Sequence, residues 1–204
     1  MCKRRGFGRL CLALLVLAAV PARGQESDLK KSIPAVPGVR NLLTNGGFER
    51  GLVPPWGIDT QGKGKYLWWN NGNCLSAAEV DEAVRQEGEA SLHIVNFSPR
   101  APHVYGTVAQ RIPIRKHQLY RITLWAKANQ LASRGAVVII VDRAWKVRPI
   151  LLPPGTYSWR MLDGVFSLPE ETAEVRILSE DVGEAWIDDI RVVPIEGQLI
   201  PAAS

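Results

Sequence analysis

In the ten residues LYRITLWAKA, Leu119 to Ala128, the side chains fall into two alternating sets. Leu119, Arg121, Thr123, Trp125 and Lys127 form one; Tyr120, Ile122, Leu124, Ala126 and Ala128 form the other, and only the second lacks charge. A period of two puts each set on its own side of a strand, one face for a core and one for water. The same texture recurs in KYLWW (65–69), ASLHIVNF (90–97), YGTVAQRIPI (105–114), AVVIIVD (136–142), YSWRMLDGVFSL (157–168), AEVRIL (173–178) and AWIDDIRVV (185–193). Gly, Pro, Asn or Asp closes these runs, and Pro113, Pro149 and Pro169 fall at strand ends or edges, where a missing N–H is tolerated. Only AAEVDEAVRQEGEA (77–90) has a helical composition; it is poor in apolar residues and reads as a long loop with room for one helical turn. Some eight or nine short strands without helices predict an all-β fold, a two-sheet antiparallel β-sandwich.

The two ends stand apart from this pattern. MCKRRGFGR is basic, LCLALLVLAAV is apolar but short for a bilayer span, and Ala22-Arg23-Gly24 offers a small-residue cleavage site. Residues 1–24 therefore read as a signal peptide, 25–40 as a proline-spaced linker, 41–195 as the domain and 196–204 as a flexible tail. The expected product is secreted, periplasmic or extracellular, with no membrane span after cleavage. Cleavage also alters the charge. Of the 25 basic residues, Lys3, Arg4, Arg5, Arg9 and Arg23 leave, and 20 remain against 20 acidic ones. A neutral mature chain argues against a nucleic-acid partner. Cys2 and Cys11 leave as well, so Cys74 stands alone without an internal disulfide.

Four segments occur in a telling order: NLLTNGGFE, VAQRIPI leading into LYRITLWAKA, YSWRMLDGVFSLP, and AWIDDIRVV. Together they resemble the carbohydrate-binding modules of the group containing families four, nine and twenty-two. The resemblance covers about residues 41–195. It implies a galactose-binding-like jelly roll that binds a polysaccharide or oligosaccharide without catalysis, often beside a secreted glycoside hydrolase. No catalytic domain lies within the 204 residues. That keeps open a second reading, a structural or protein-interaction β-sandwich of the cell envelope.

In AWIDDIRVV, strict alternation puts Trp186, Asp188, Ile190 and Val192 on one face and Ile187, Asp189 and Arg191 on the other. The first face is the apolar one, which brings Asp188 into or beside the core. A buried ionised carboxylate costs several kcal/mol unless it is paired or metal-bound. A salt bridge or hydrogen-bond pair with a nearby Arg or Lys answers that need. The resemblance implies another answer: carboxylates of the first and last strands, here Glu49 and Asp188, holding a structural Ca²⁺ with backbone carbonyls completing the shell. Hard oxygen donors suit calcium rather than zinc. As catalytic acids, Asp188-Asp189 and Glu170-Glu171 fail, because neighbours on a strand face opposite ways and Glu170-Glu171 lies in a polar turn. No nucleophile elbow, phosphate loop or metal spacing of His93, His103 and His117 is present, and the chain is not expected to be an enzyme.

Seven tryptophans are many for such a domain. Sugar rings present C–H faces that stack on indole or phenol rings, while polar side chains bond their hydroxyls. The ligand-binding candidates are Trp68 or Trp69, beside Asn70, Asn71 and Asn73; Trp145, beside Asp142, Arg143 and Arg148; and Tyr105, near His103. Trp68 and Trp69 point to opposite faces, so only one can join a given surface. Trp125, Trp159 and Trp186 lie inside patterned strands and are assigned to the core, and Trp56, after Pro54-Pro55, to a corner plug. Asn96-Phe97-Ser98 matches a glycosylation sequon.

Overall fold

The structure, a computed structural model, describes residues 40–59 and 65–199. The signal peptide, nearly all of the linker and the last five residues of the tail lie outside the described residues. The strands are β1 (Ile58–Asp59), β2 (Lys65–Tyr66), β3 (Trp69–Asn71), β4 (Ser76–Asp81), β5 (Ser91–Asn96), β6 (Tyr105–Pro113), β7 (Gln118–Leu131), β8 (Val137–Ile140), β9 (Ile150–Leu151), β10 (Gly155–Phe166), β11 (Thr172–Ser179) and β12 (Gly183–Leu199). They build two five-stranded sheets, β10-β7-β12-β5-β4 and β3-β6-β11-β8-β9, with β1-β2 as a separate ribbon. Every strand pairing is antiparallel. The fold is the two-sheet all-β sandwich that the alternation demands.

β7 shows why. Tyr120, Ile122, Leu124, Ala126 and Ala128 are all buried, while Arg121, Thr123, Trp125 and Lys127 are only partly covered. The buried set meets Leu92 and Ile94 of β5, Ile187 and Val192 of β12, and Val108, Val175 and Ile177 from the opposite sheet in one core. Burial of large aliphatic side chains, each worth about 1.5–3 kcal/mol, holds the two layers together.

Three segments depart from expectation. Residues 76–81 form an edge strand on β5, with Ala78 and Val80 packed on the core. Two small or short apolar residues among charges give little hydrophobic signal; the neighbouring backbone ladder decides the structure. KYLWW divides between β2 and β3. The tail is not loose from residue 196, because β12 runs to Leu199 and pairs it with Gln118.

The alternation in β12 also breaks. Its pairing with β7 shifts between Asp188 and Arg191, where three steps on β12 match two on β7. Asp189, at φ 47°, absorbs the extra residue. This bulge corrects the face assignment: Trp186 and Asp188 share the outward face with their β7 partners Lys127 and Trp125, while Ile187, Ile190 and Val192 enter the core.

The opening segment closes the edge between the sheets. Leu42 donates to Val192 O at 2.9 Å, and Ile190 donates to Gly46 O at 3.0 Å, tying it to β12. The inward-facing Gln110 of β6 bonds both the N–H and the carbonyl of Thr44, at 2.8 Å each. Gly46 is required by this close approach, since a Cβ there would lie 2.1 Å from Ile190 O. Phe48 and Trp56 are fully buried and stacked at 5.5 Å, and Trp56 Nε1 donates to Asn45 O at 3.0 Å. Trp56 is the expected plug.

Candidate functional site

Cross-strand partners share a face, so register fixes what the outer side of the β6 sheet displays. Trp69 lies opposite Thr107, and Asn71 opposite Tyr105. Thr107 is also opposite Leu178, Ala109 opposite Arg176, and Arg111 opposite Glu174. Val138 and Ile140 of β8 continue this face and form a small apolar patch with Leu178. Tyr105 and Trp145 pack over that patch with ring centroids 5.0 Å apart, edge to face. Trp69 stands against Tyr66 at 4.9 Å. All three candidate rings are half-buried.

Trp145 is carried by the loop after β8. Asp142 is buried and accepts the N–H groups of Lys146 (3.2 Å) and Val147 (2.8 Å), so it shapes the loop and is not a free ligand group. Trp145 itself sits at φ 63°, a left-handed conformation that costs a bulky residue of order 1 kcal/mol or more. Strain at a displayed ring is common where a surface serves a ligand.

Beside the rings lies a cleft of about 400 Å³ lined by Pro55, Gly57, Ile58, Asp59, Ala109, Arg111, Glu174 and Arg176. Its one wall is the chain after the Trp56 plug, held by Gly57 N–H donating to Ala109 O at 2.8 Å. Its floor is charged. Arg111 Nε donates to Glu174 Oε2 at 2.9 Å, Arg176 Nη2 donates to Glu174 Oε1, and Arg176 Nη1 donates to Thr107 Oγ1 at 3.2 Å. The Arg176 guanidinium also lies 4.7 Å from the Trp145 ring centroid, a cation–π contact that links cleft to rings.

Burial alone raises the Glu174 carboxyl, but the Arg111 hydrogen bond and the Arg176 charge outweigh it and hold it below its ordinary value. A depressed acid stabilises the fold fully above its unfolded value, near 4.5, and that contribution is lost as pH falls through the folded value. Glu174→Gln is therefore expected to cost about 2 kcal/mol at pH 7, under the range for a fully buried pair because Arg111 is well exposed. Urea unfolding should show the gap between the two proteins narrowing below pH 4.5 and closing as pH falls through the folded value.

The carboxylates of Glu49 and Asp188 both border Gly47. Glu49 Oε1 and Asp188 Oδ1 lie 3.5 and 3.6 Å from the point where a Gly47 Cβ would stand. Asp188 is 1% exposed under the loop that follows β4. Its Oδ2 accepts the N–H groups of Gln86 (2.9 Å) and Glu87 (3.0 Å), and Oδ1 accepts that of Asp189 (2.7 Å). Glu49 Oε2 accepts Glu89 N–H at 2.9 Å. Among the described residues neither carboxylate makes an ion pair; the nearby Arg191 binds Asp189 at 2.8 Å and lies 3.7 Å from Glu87. Burial pushes the Asp188 carboxyl up, against the three amide bonds, and the charge of Asp189 adds to the rise. Gly88, at φ 59°, leaves room for Glu49, whose Oε1 would lie 1.9 Å from a Cβ there. Both are hard oxygen donors of the type calcium takes, and both border Gly47. No group of three His, Cys, Asp or Glu side chains suited to a metal occurs among the described residues, so the rest of such a shell falls to backbone carbonyls and water.

The other candidates are placed differently. Trp68 turns inward onto the core, its Nε1 donating to Ser76 Oγ at 3.1 Å, and does not share the face of Trp69. Asn70 and Asn71 bond Ser76 O and His103 O, so they fold the turn beside Trp69. Trp125 and Trp159 are half-buried rather than core residues. Trp186 is buried, but on the outward face, between the His93 ring (4.6 Å) and Lys127 Nζ (4.7 Å), with Nε1 bonded to Asp81. Asn96 is 1% exposed and bonded to Ser179, so the sequon asparagine is not presented for modification. Sequence reasoning missed Arg111, Glu174 and Arg176. The available signal was Glu174 and Arg176 two residues apart in an otherwise apolar strand, which places opposite charges on one face.

No protein-family model matches the sequence, and no curated protein does. Solved structures do. A family 61 carbohydrate-binding module in complex with β-1,4-galactotriose aligns at 16% identity and a TM-score of 0.51, over 76% of this chain and 99% of its own. The N-terminal tandem of family 22 modules of Paenibacillus barcinonensis Xyn10C aligns at 14% identity and 0.52, over 81% of this chain and 48% of its own. The enzymatically active domain of tailspike protein 4 of bacteriophage CBA120 aligns at 15% and 0.53 over 76% of this chain, which spans only 21% of that protein's length. At these identities the likeness is one of fold, and the fold is the galactose-binding-like jelly-roll sandwich built by carbohydrate-binding modules.

Proposed function

We propose that this chain is a secreted, non-catalytic module that binds a polysaccharide or oligosaccharide and assists glycoside hydrolysis. The observation that carries this reading is the gathering of Trp69, Tyr105 and Trp145 on one sheet face, next to a cleft with hydrogen-bonding groups. Rings supply stacking surfaces, and Asp59 and Arg111 supply acceptors and donors in the cleft. From Tyr105 to Arg111 the face extends roughly 20 Å along β6, at about 3.3 Å per residue. That length suits several sugar units in a row. The fold neighbour solved with β-1,4-galactotriose supports a sugar ligand. The basic and then apolar residues of 1–24 support export, and among the described residues no helix is long and apolar enough to cross a membrane.

We further propose that Glu49 and Asp188 hold a structural Ca²⁺ that ties the opening segment to β12. Removing the positive cost of a buried, metal-free Asp188 is the chemistry such an ion supplies.

Affinity electrophoresis through gels of plant, fungal and bacterial polysaccharides tests the sugar reading. The native protein is expected to be retarded by at least one of them, and Trp145→Ala and Tyr105→Ala to lose that retardation by tenfold or more in affinity while melting cooperatively. Free migration in all gels removes the reading. The envelope-protein alternative has one observation in its favour: Leu75 and Phe97, 68% and 72% exposed, are joined by a backbone hydrogen bond at the β4–β5 edge. Such a pair suits a protein contact. A stable pulled-down partner that sugars do not displace would favour it.

A further inference from the structure

We propose that the cleft selects an acidic sugar, with Arg111 receiving the carboxylate of a uronic acid unit above the Arg176–Glu174 pair. The inference rests on the sugar-binding reading and deepens it. Two guanidinium groups share the single carboxylate of Glu174, and each of its oxygens is already taken by one of them. The floor therefore holds one positive charge more than its own acid neutralises. The remaining carboxylate in the lining, Asp59, stands on the β1 wall and is exposed.

Arg176 lies beneath the cleft surface. It is 8% exposed, and its Nε has no hydrogen-bond partner among the described residues. That atom has no accessible surface, so Arg176 contributes charge to the floor rather than a bond to the ligand, and a charge so placed favours an anion over a neutral group beside it. Arg111 complements it. It engages Glu174 through Nε while its side chain stays 62% exposed, which leaves the terminal nitrogens for a planar, two-pronged acceptor. A uronic acid presents that acceptor at one end of the ring and hydroxyls at the other. The hydroxyls match Asp59 across the cleft, and the ring's apolar face matches Trp145, which already stacks on Arg176. A neutral hexose satisfies Asp59 and Trp145 but leaves the terminal nitrogens of Arg111 without an anionic partner.

The test uses uronate-containing oligosaccharides of both galacto and gluco configuration, each paired with its methyl ester, together with β-1,4-galactotriose as a neutral probe, by titration calorimetry on the full mature chain. The expected result is that one acid form binds at least tenfold tighter than its own ester, that raising salt from 50 to 500 mM erases most of that advantage, and that Arg111→Met erases it at low salt. Because Arg111 is exposed, the variant is expected to fold, and its melting curve verifies that. Equal affinity for acid and ester, or a preference unchanged by Arg111→Met, overturns this inference and leaves sugar binding standing. Failure to bind any acid, ester or neutral probe here, with no retardation in the polysaccharide gels, overturns both.

Discussion

Replacing Trp56 by alanine is expected to lower stability by about 4 kcal/mol, in the range for removing a fully buried aromatic ring. For a domain of this size that is roughly 8–16 °C in melting temperature. Trp56 has no exposed surface, stacks on Phe48 and bonds Asn45 O through its indole N–H. Its loss leaves a cavity, an Asn45 carbonyl without its indole donor and a Phe48 ring without its neighbour. The consequences reach both functional regions, because the plug sits between them. Upstream it fixes the turn that carries Glu49; downstream it fixes Pro55 to Asp59, which form one wall of the cleft. Differential scanning calorimetry of Trp56→Ala beside Trp145→Ala separates core from surface. Trp145→Ala removes a half-buried ring over a patch of three aliphatic side chains and should lower the melting temperature by much less. Equal losses in the two variants would mean that Trp145 is a core residue, and the face it covers would then have no claim as a ligand surface.

That contrast marks how far the sequence was readable. The period of two in LYRITLWAKA fixed which side of β7 enters the core, and the structure follows it residue by residue. The same rule failed in β12, since a bulge costs one residue and leaves no mark in composition. Asp189 gives no warning of a left-handed backbone, yet it reverses the phase for everything before it. Trp186 and Asp188 therefore face outward, and Asp188 is buried for a different reason than alternation implied: a loop lies over it. β4 was illegible because an edge strand with two inward residues owes its form to the neighbouring backbone. Of the site, Trp69, Tyr105 and Trp145 were legible as aromatics in polar company, and opposite faces for Trp68 and Trp69 followed from geometry alone. The cleft was not, because its floor is assembled from β6 and β11, more than sixty residues apart across the Arg111–Glu174 bond. Pairing of that kind is a property of the sheet register.

Thermal unfolding in excess calcium and in EDTA should differ by about 5–10 °C. An ion held only by the folded state adds about 2.7 kcal/mol when free calcium is a hundred times its dissociation constant, and at this size each kcal/mol is worth roughly 2–4 °C. The premise is the convergence of Glu49 and Asp188 on the space beside Gly47, with no cationic side chain among the described residues to neutralise them. Amide donors alone do not offset burial of the Asp188 charge, since its carboxyl stays above the ordinary value despite three of them. In EDTA that sign has a further consequence. The penalty of a raised acid is full above its folded value, so Asp188 opposes folding at neutral pH, less so as pH falls below that value, and no longer below its unfolded value near 3.8. Bound calcium would abolish this penalty by favouring the ionised form. The wild-type gap between calcium and EDTA should accordingly narrow on acidification, when protons compete for the same oxygens. Asp188→Asn should show no calcium response at any pH, and Gly88→Ala should lose it by driving a methyl group into Glu49. If wild-type protein melts at one temperature in calcium and EDTA alike, the two carboxylates serve only as acceptors for the loop over β12. The clasp between the chain's opening segment and its last strand would then rest on backbone bonds and on the Asn41 side chain, which bonds Ile190 O and Val192 N–H.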